Sequence, residues 1–339
     1  YRDILLDASG AIWVASDFGA VRITRSDRLF TQYLSGGSEY CSNVYCSTRG
    51  ITEDDNGLIY ISYYNSIHVL DPVTNDVRPL FPANDYFNYP YGLIHANGFL
   101  YAGDGTRIKL SDLSMSNLFA DDGESEGAVA MSPDSNIWFG YDRQLLVHDP
   151  TTQKTSVYRD RAGKSWAEIS GAPISYLLPG LNELYIGTTD AGLYHLNLSN
   201  GNIRHWQADS TKTGLRSNRI NAIYRSTSNQ DLNSKVAKAG QNSNAKSLPP
   251  RNLYLATSEG LHCVDLVSGK IKVYDETNGL PNHFINGLVS EGDTAVWIST
   301  DNGLCRFSLQ TETCLNFFTA DGLSSDEFNR ISFYRSKAG

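Results

Sequence analysis

Residues 286–318, NGLVSEGDTAVWISTDNGLCRFSLQTETCLNFF, decide the fold. GLVSE at 287–291 is a short apolar strand, Gly292-Asp293-Thr294 a turn, and VWIST at 296–300 a returning strand. Asp301-Asn302-Gly303 is a tight turn, because Asn and Gly tolerate positive φ. LCRFSL at 304–309 and CLNFF at 314–318 complete four antiparallel strands in a meander. One such meander cannot bury both of its faces alone, so it calls for neighbours of the same kind.

Those neighbours are present. The second strand recurs as IWVAS at 12–16, IYISY at 59–63, LYAGD at 100–104, IWFGY at 137–141, LYIGT at 184–188 and LYLAT at 253–257. A period of roughly 40 to 50 residues built from short strands is the mark of a β-propeller. Seven anchors predict an all-β, seven-bladed β-propeller of four-stranded antiparallel blades spanning residues 1–339 as one domain. The anchor aromatics Trp13, Tyr60, Tyr101, Trp138, Tyr185, Tyr254 and Trp297 are predicted to pack between blades, where a large ring buries most area. The anchors at 184 and 253 stand further apart than the rest. Residues 226–251, rich in Ser, Asn, Lys and Gln, fill that interval and read as a disordered insertion in the sixth unit. FNRISFY at 328–334 reads as the first strand of a further unit, and the chain as a fragment of a longer protein.

Composition narrows the function. The chain carries 28 basic and 37 acidic residues, net −9, with no Lys/Arg run, which argues against a nucleic-acid partner. No apolar stretch is long enough to span a bilayer. The five cysteines lack metal-ligand spacing. In an oxidising compartment Cys41 with Cys46, and Cys305 with Cys314, could form disulfides; otherwise all five are reduced thiols.

The loops joining second and third strands share a face with the links between blades, and that face is predicted to bind. Aligning the inner strands places Arg2, Arg49, Tyr91, Gly127, Ser175, Asn221 and Asn286 around its mouth, a polar ring without a carboxylate cluster. Two links are aromatic-rich. Residues 82–91 hold Tyr86, Phe87, Tyr89 and Tyr91, residues 36–46 hold Tyr40 and Tyr45, and Trp166 lies on the link 159–173. Such rings, with a polar edge, suit the faces of a sugar; alternatively they fold under the loops as anchors. The candidate ligand-binding set is Arg49, Tyr86, Phe87, Tyr89, Tyr91, Tyr40, Tyr45, Trp166, Asn221 and Asn286. No catalytic, metal or cofactor set is assigned. Third-strand histidines His68, His148, His195 and His262 are expected to turn toward solvent rather than converge.

Three links share a finer motif: GLRSNRINAI at 214–223, GLPNHFINGL at 279–288 and GLSSDEFNRI at 322–331. With TDNGL at 300–304 and TTDAGL at 188–193, this resembles the two-component regulator propeller repeats. Gly105-Thr-Arg and Asp142-Arg-Gln depart from that pattern in the third and fourth units. The resemblance implies a periplasmic sensor region of a hybrid histidine kinase, sensing an oligosaccharide. It also implies a neighbouring propeller or immunoglobulin-like domain, a dimeric receptor, and a kinase or diguanylate cyclase output elsewhere in the protein. A protein-interaction or structural propeller is the alternative, and a lyase or hydrolase propeller the third reading.

Overall fold

The computed structural model of the protein describes residues 3–6, 12–16, 19–23, 30–33, 47–63, 66–81, 91–119, 127–209, 214–226, 252–292 and 294–337. The first unit forms a three-stranded sheet of β1 (Asp3–Leu6), β2 (Ile12–Ser16) and β3 (Gly19–Ile23). Six four-stranded meanders follow, here blades A to F. Blade A contains β4 (Gly50–Glu53), β5 (Ile59–Ser62), β6 (Ile67–Asp71) and β7 (Asp76–Pro79). Blade B contains β8 (Leu93–Ala96), β9 (Phe99–Ala102), β10 (Thr106–Lys109) and β11 (Met115–Asn117). Blade C contains β12 (Ala128–Met131), β13 (Ile137–Tyr141), β14 (Gln144–Asp149) and β15 (Lys154–Val157). After a short helix α1 (Trp166–Ile169), blade D contains β16 (Ile174–Pro179), β17 (Glu183–Thr188), β18 (Leu193–Asn197) and β19 (Ile203–Trp206). Blade E contains β20 (Ile220–Arg225), β21 (Asn252–Thr257), β22 (Gly260–Asp265) and β23 (Ile271–Tyr274). Blade F contains β24 (Ile285–Glu291), β25 (Ala295–Thr300), β26 (Leu304–Ser308) and β27 (Cys314–Phe317).

The propeller is therefore six-bladed, and the expectation of seven complete blades is corrected. The reason lies just after β3. Residues 30–33, which the repeat assigns to a fourth strand, do not pair with β3. Phe30 packs instead edge-on against Trp297 and Phe317 of blade F, with centroids at 6.5 and 5.3 Å. Gln32 Nε2 donates to the Gly322 carbonyl at 2.9 Å. The sequence period counts hairpins correctly but does not say which sheet recruits a fourth strand. Of the expected insertion at 226–251, residues 227–251 lie outside the described residues.

The anchor aromatics sit where a large apolar ring gains most from burial. Tyr60 packs with Leu93 and Leu100 of the next blade, and Tyr101 with Ile137 and Phe139. Trp138 packs with Ile174 and Leu184, Tyr185 with Ile223 and Leu255, and Tyr254 with Leu288 and Val296. These five rings are all buried. Trp297, facing the seam between blades F and A, is only half-buried.

That seam is closed by residues 328–337, which run as irregular chain and form no strand, contrary to the expected first strand of a further unit. Phe328 N–H donates to the Thr300 carbonyl at 3.1 Å, and Arg335 Nη1 to Ser290 Oγ at 3.2 Å, both on blade F. Ser332 Oγ donates to the Thr48 carbonyl at the entrance to blade A. Lys337 reaches Glu53 Oε2 through its N–H at 2.7 Å and the Asp54 carbonyl through Nζ at 2.8 Å. The segment is a clasp between the last blade and blade A.

Candidate functional site

The link face is built by a device repeated at each late joint. The turn glycine between second and third strands donates its N–H to a carbonyl of the following link: Gly192 to Asn218 at 2.8 Å, Gly260 to His283 at 2.8 Å, Gly303 to Asp326 at 2.6 Å. All three glycines have positive φ, the conformation that makes Gly the residue of choice there. A threonine ends each preceding strand. Thr188, Thr257 and Thr300 are fully buried, and each Oγ1 donates to the carbonyl of the turn glycine.

The inner strands of blades D, E and F each carry a register shift against the second strand, at Ser175, Asn221 and Asn286. A bulge re-aims one side chain, and here it aims at the next blade. Ser175 Oγ donates to the Ile220 carbonyl, and Asn221 Nδ2 to the Ile285 carbonyl at 2.7 Å. Asn286 Nδ2 donates to the Phe328 carbonyl at 2.8 Å and to Asp301 Oδ1 at 2.7 Å. Asn221 and Asn286 are thus buried latches between neighbouring blades.

The other candidates divide. Arg49 and Tyr91 are brought together at the entrances to blades A and B, the Arg49 guanidinium 5.4 Å from the Tyr91 ring centroid. Their backbones are joined, since Gly92 N–H donates to the Arg49 carbonyl at 2.8 Å. Trp166 belongs to α1 and is fully buried, its Nε1–H donating to the Ala172 carbonyl at 2.9 Å and its ring edge-on to Tyr194. It anchors the 159–173 link and leaves the candidate ligand surface. Gly127 is a close-packing residue, since a Cβ there would sit 2.0 Å from the Gly103 carbonyl oxygen. Tyr40, Tyr45, Tyr86, Phe87, Tyr89, Cys41, Cys46 and Arg2 lie outside the described residues. Cys305 and Cys314 carry free thiols on the adjacent strands β26 and β27. Their mutual hydrogen bond, then burial, pushes the Cys305 thiol up.

The third-strand histidines correct the expectation of solvent-facing positions. His68, His148 and His262 are buried against neighbouring aromatics or links, and burial lowers the pKa of each. His262 falls to about 4, and its Nε2 accepts the Arg216 backbone N–H at 3.0 Å. They lie in separate blades and do not converge. Among the described residues no group of three or more His, Cys, Asp or Glu side chains is placed to hold a metal ion. No helix among them is long and apolar enough to cross a membrane.

A cluster that sequence reasoning missed pins blades D and E at the opposite end. Glu183 accepts from His195 Nε2 at 2.9 Å and from Arg225 Nη1. The His195 ring stacks on Tyr185 at 4.4 Å. The His195 hydrogen bond and Arg225 hold the Glu183 carboxyl down at about 2. Its partners stand 12 and 42 residues away, a spacing that carries no local signal.

With this geometry in view, the chain is similar at a distance to the extracellular domain of a hybrid two-component system of B. thetaiotaomicron. The TM-score is 0.54 and the identity 17% over 83% of this chain. This chain spans 36% of that domain's length, about a third. A streptogramin B lyase is similar at the same TM-score, 0.54, with 14% identity over 81% of this chain and 84% of the lyase. These likenesses show the propeller fold. No family model matches the chain, and no curated protein does.

Proposed function

We propose that this propeller is the extracytoplasmic ligand-sensing module of a transmembrane receptor of the hybrid histidine-kinase type, recognising an oligosaccharide on its link face. The observation that carries the reading is the fold likeness to a hybrid two-component extracellular domain, joined to the repeated GL-x4-φ-N links. The Arg49–Tyr91 pair stands at the entrances to blades A and B, where the aromatic-rich links 36–46 and 82–91 lead in. A guanidinium beside a phenol ring offers donors and a flat apolar face together, which a sugar uses. In the receptor this module would meet a neighbouring propeller or an immunoglobulin-like domain and act in a homodimer, ligand shifting the balance of two arrangements.

The test is a thermal-shift screen of the chain against an oligosaccharide panel, repeated on Tyr89→Ala. A ligand at a hundred times its Kd stabilises the fold by about 2.7 kcal/mol. A shift in the parent that Tyr89→Ala abolishes supports the reading, and no shift with any glycan overturns it. The equal likeness to a lyase propeller makes catalysis the second reading, which turnover of a bound ligand would establish.

A further inference from the structure

The axis of this propeller is lined by apolar side chains. A cavity of about 310 Å³ follows the inner strands β4, β8, β12 and β16. It runs from Gly92, Gly127 and Ser175 at the link-face end to Met131 and Pro179 at the other. Ile51, Ile94, Val129 and Leu178 line it half-buried, while Leu93, Ala128 and Leu177 are buried within the blades. That is the period-two alternation of a strand, with apolar residues on both faces. The closing wall belongs to the clasp. Phe333 stacks on Tyr176 at 6.1 Å and 21°, and lies flat against the Gly287 backbone, where a Cβ would meet its ring at 2.3 Å.

No charged side chain among the described residues lines the cavity. Its polar edge is largely committed: Ser175 Oγ donates to the Ile220 carbonyl, and Thr52 Oγ1 accepts the His95 N–H at 3.1 Å. The free edges of these inner strands leave backbone groups for water, but the lining side chains are mostly apolar, and a heavily hydrated sugar or an ion would lose hydrogen bonds on entry. An apolar molecule loses none and removes exposed apolar surface from water. The volume is that of a small-molecule pocket.

We infer that the propeller axis, beneath the link face, is a second binding site for an uncharged and largely apolar small molecule, with the clasp as one of its walls. Because Ile331, Phe333 and Tyr334 supply that wall, the ligand binds the clasped ring better than an opened one. Occupancy of the axis and closure of the seam therefore stabilise each other.

The experiment is a titration of the chain with N-phenyl-1-naphthylamine, an uncharged apolar fluorophore, with melting point as second readout. Saturable binding at one site, a raised melting point, and at least about a tenfold loss of affinity in Val129→Phe, whose ring fills the cavity, are expected. Leu178→Phe, on another blade, does the same where Val129→Phe fails to fold. Val267→Ser, at a residue 80% exposed on blade E, keeps the parent affinity. No saturable binding, unchanged affinity in a folded cavity-filling variant, or loss in Val267→Ser would overturn the assignment.

Discussion

The joints D–E and E–F carry the same link motif as the seam F–A, yet they end differently. In the first two, the motif runs into β20 and β24, which pair with β21 and β25. In the third, the same latches form at Asp326 and Phe328, but the chain then turns away at Ile331, whose φ is +55°. A β-branched residue in that region is strained, and it breaks the extended path that FNRISFY would otherwise follow. The latch is thus a local property of the motif. Strand formation is not: it requires a partner edge, which the hairpin supplies at 253–257 and 296–300, whereas residues 328–337 join no sheet among the described residues.

The largest expected difference is between equivalent positions of the motif. Ile223→Gly empties a buried site in β20 and should cost about 4 kcal/mol in urea unfolding. Ile331→Gly removes a half-buried side chain but frees the left-handed backbone, so its effect should stay within about 1 kcal/mol. Comparable losses at both sites would mean that residues 331–337 fold as tightly as an inner strand.

Acid should separate the joints next. At D–E, the Arg216 N–H is held by His262; at E–F the corresponding residues are Pro281, which has no N–H, and Cys305. His262 has a folded pKa of about 4 against about 6.5 unfolded, so the unfolded chain binds the extra proton between those values. Its contribution is complete above pH 6.5 and is lost as pH falls toward 4, by up to about 3 kcal/mol. Buried His68 and His148, also lowered, add to the same slope. Stability measured from pH 7.5 to 4.5 should decline less steeply in His262→Gln; an unchanged slope would place the acid sensitivity elsewhere.

The smallest contrast concerns the latches. Asn221→Ala leaves the Ile285 carbonyl without its side-chain donor inside a regular joint and should cost about 1–3 kcal/mol. Asn286→Ala releases Phe328 at the seam as well as its own bond to Asp301. It should cost less globally while loosening the clasp, read as faster amide exchange in 328–337. Equal global losses would show that the seam is as cooperative as the joints.

Much of this architecture was legible in the sequence. All seven anchor segments lie on second strands, and period-two patterning with Gly-bearing turns is local information. Blade number was not legible, because Phe30 is drawn to Trp297, a contact across 267 positions that no local pattern records. The employment of Asn221 and Asn286 was hidden, because a bulge at each turns a polar side chain toward the next blade. The buried histidines were read outward, and Trp166 was left open between ligand contact and loop anchor, because a single aromatic or His carries no sign of which face it takes.

The ring is closed at one seam by a clasp, and elsewhere by strand-to-strand packing. Amide hydrogen exchange on the parent and on Phe333→Ala tests it most directly. The variant should exchange faster in 328–337, in 50–53 and in 285–291, with 220–225 unchanged. Equal acceleration in all four segments, or none in the first three, would contradict it.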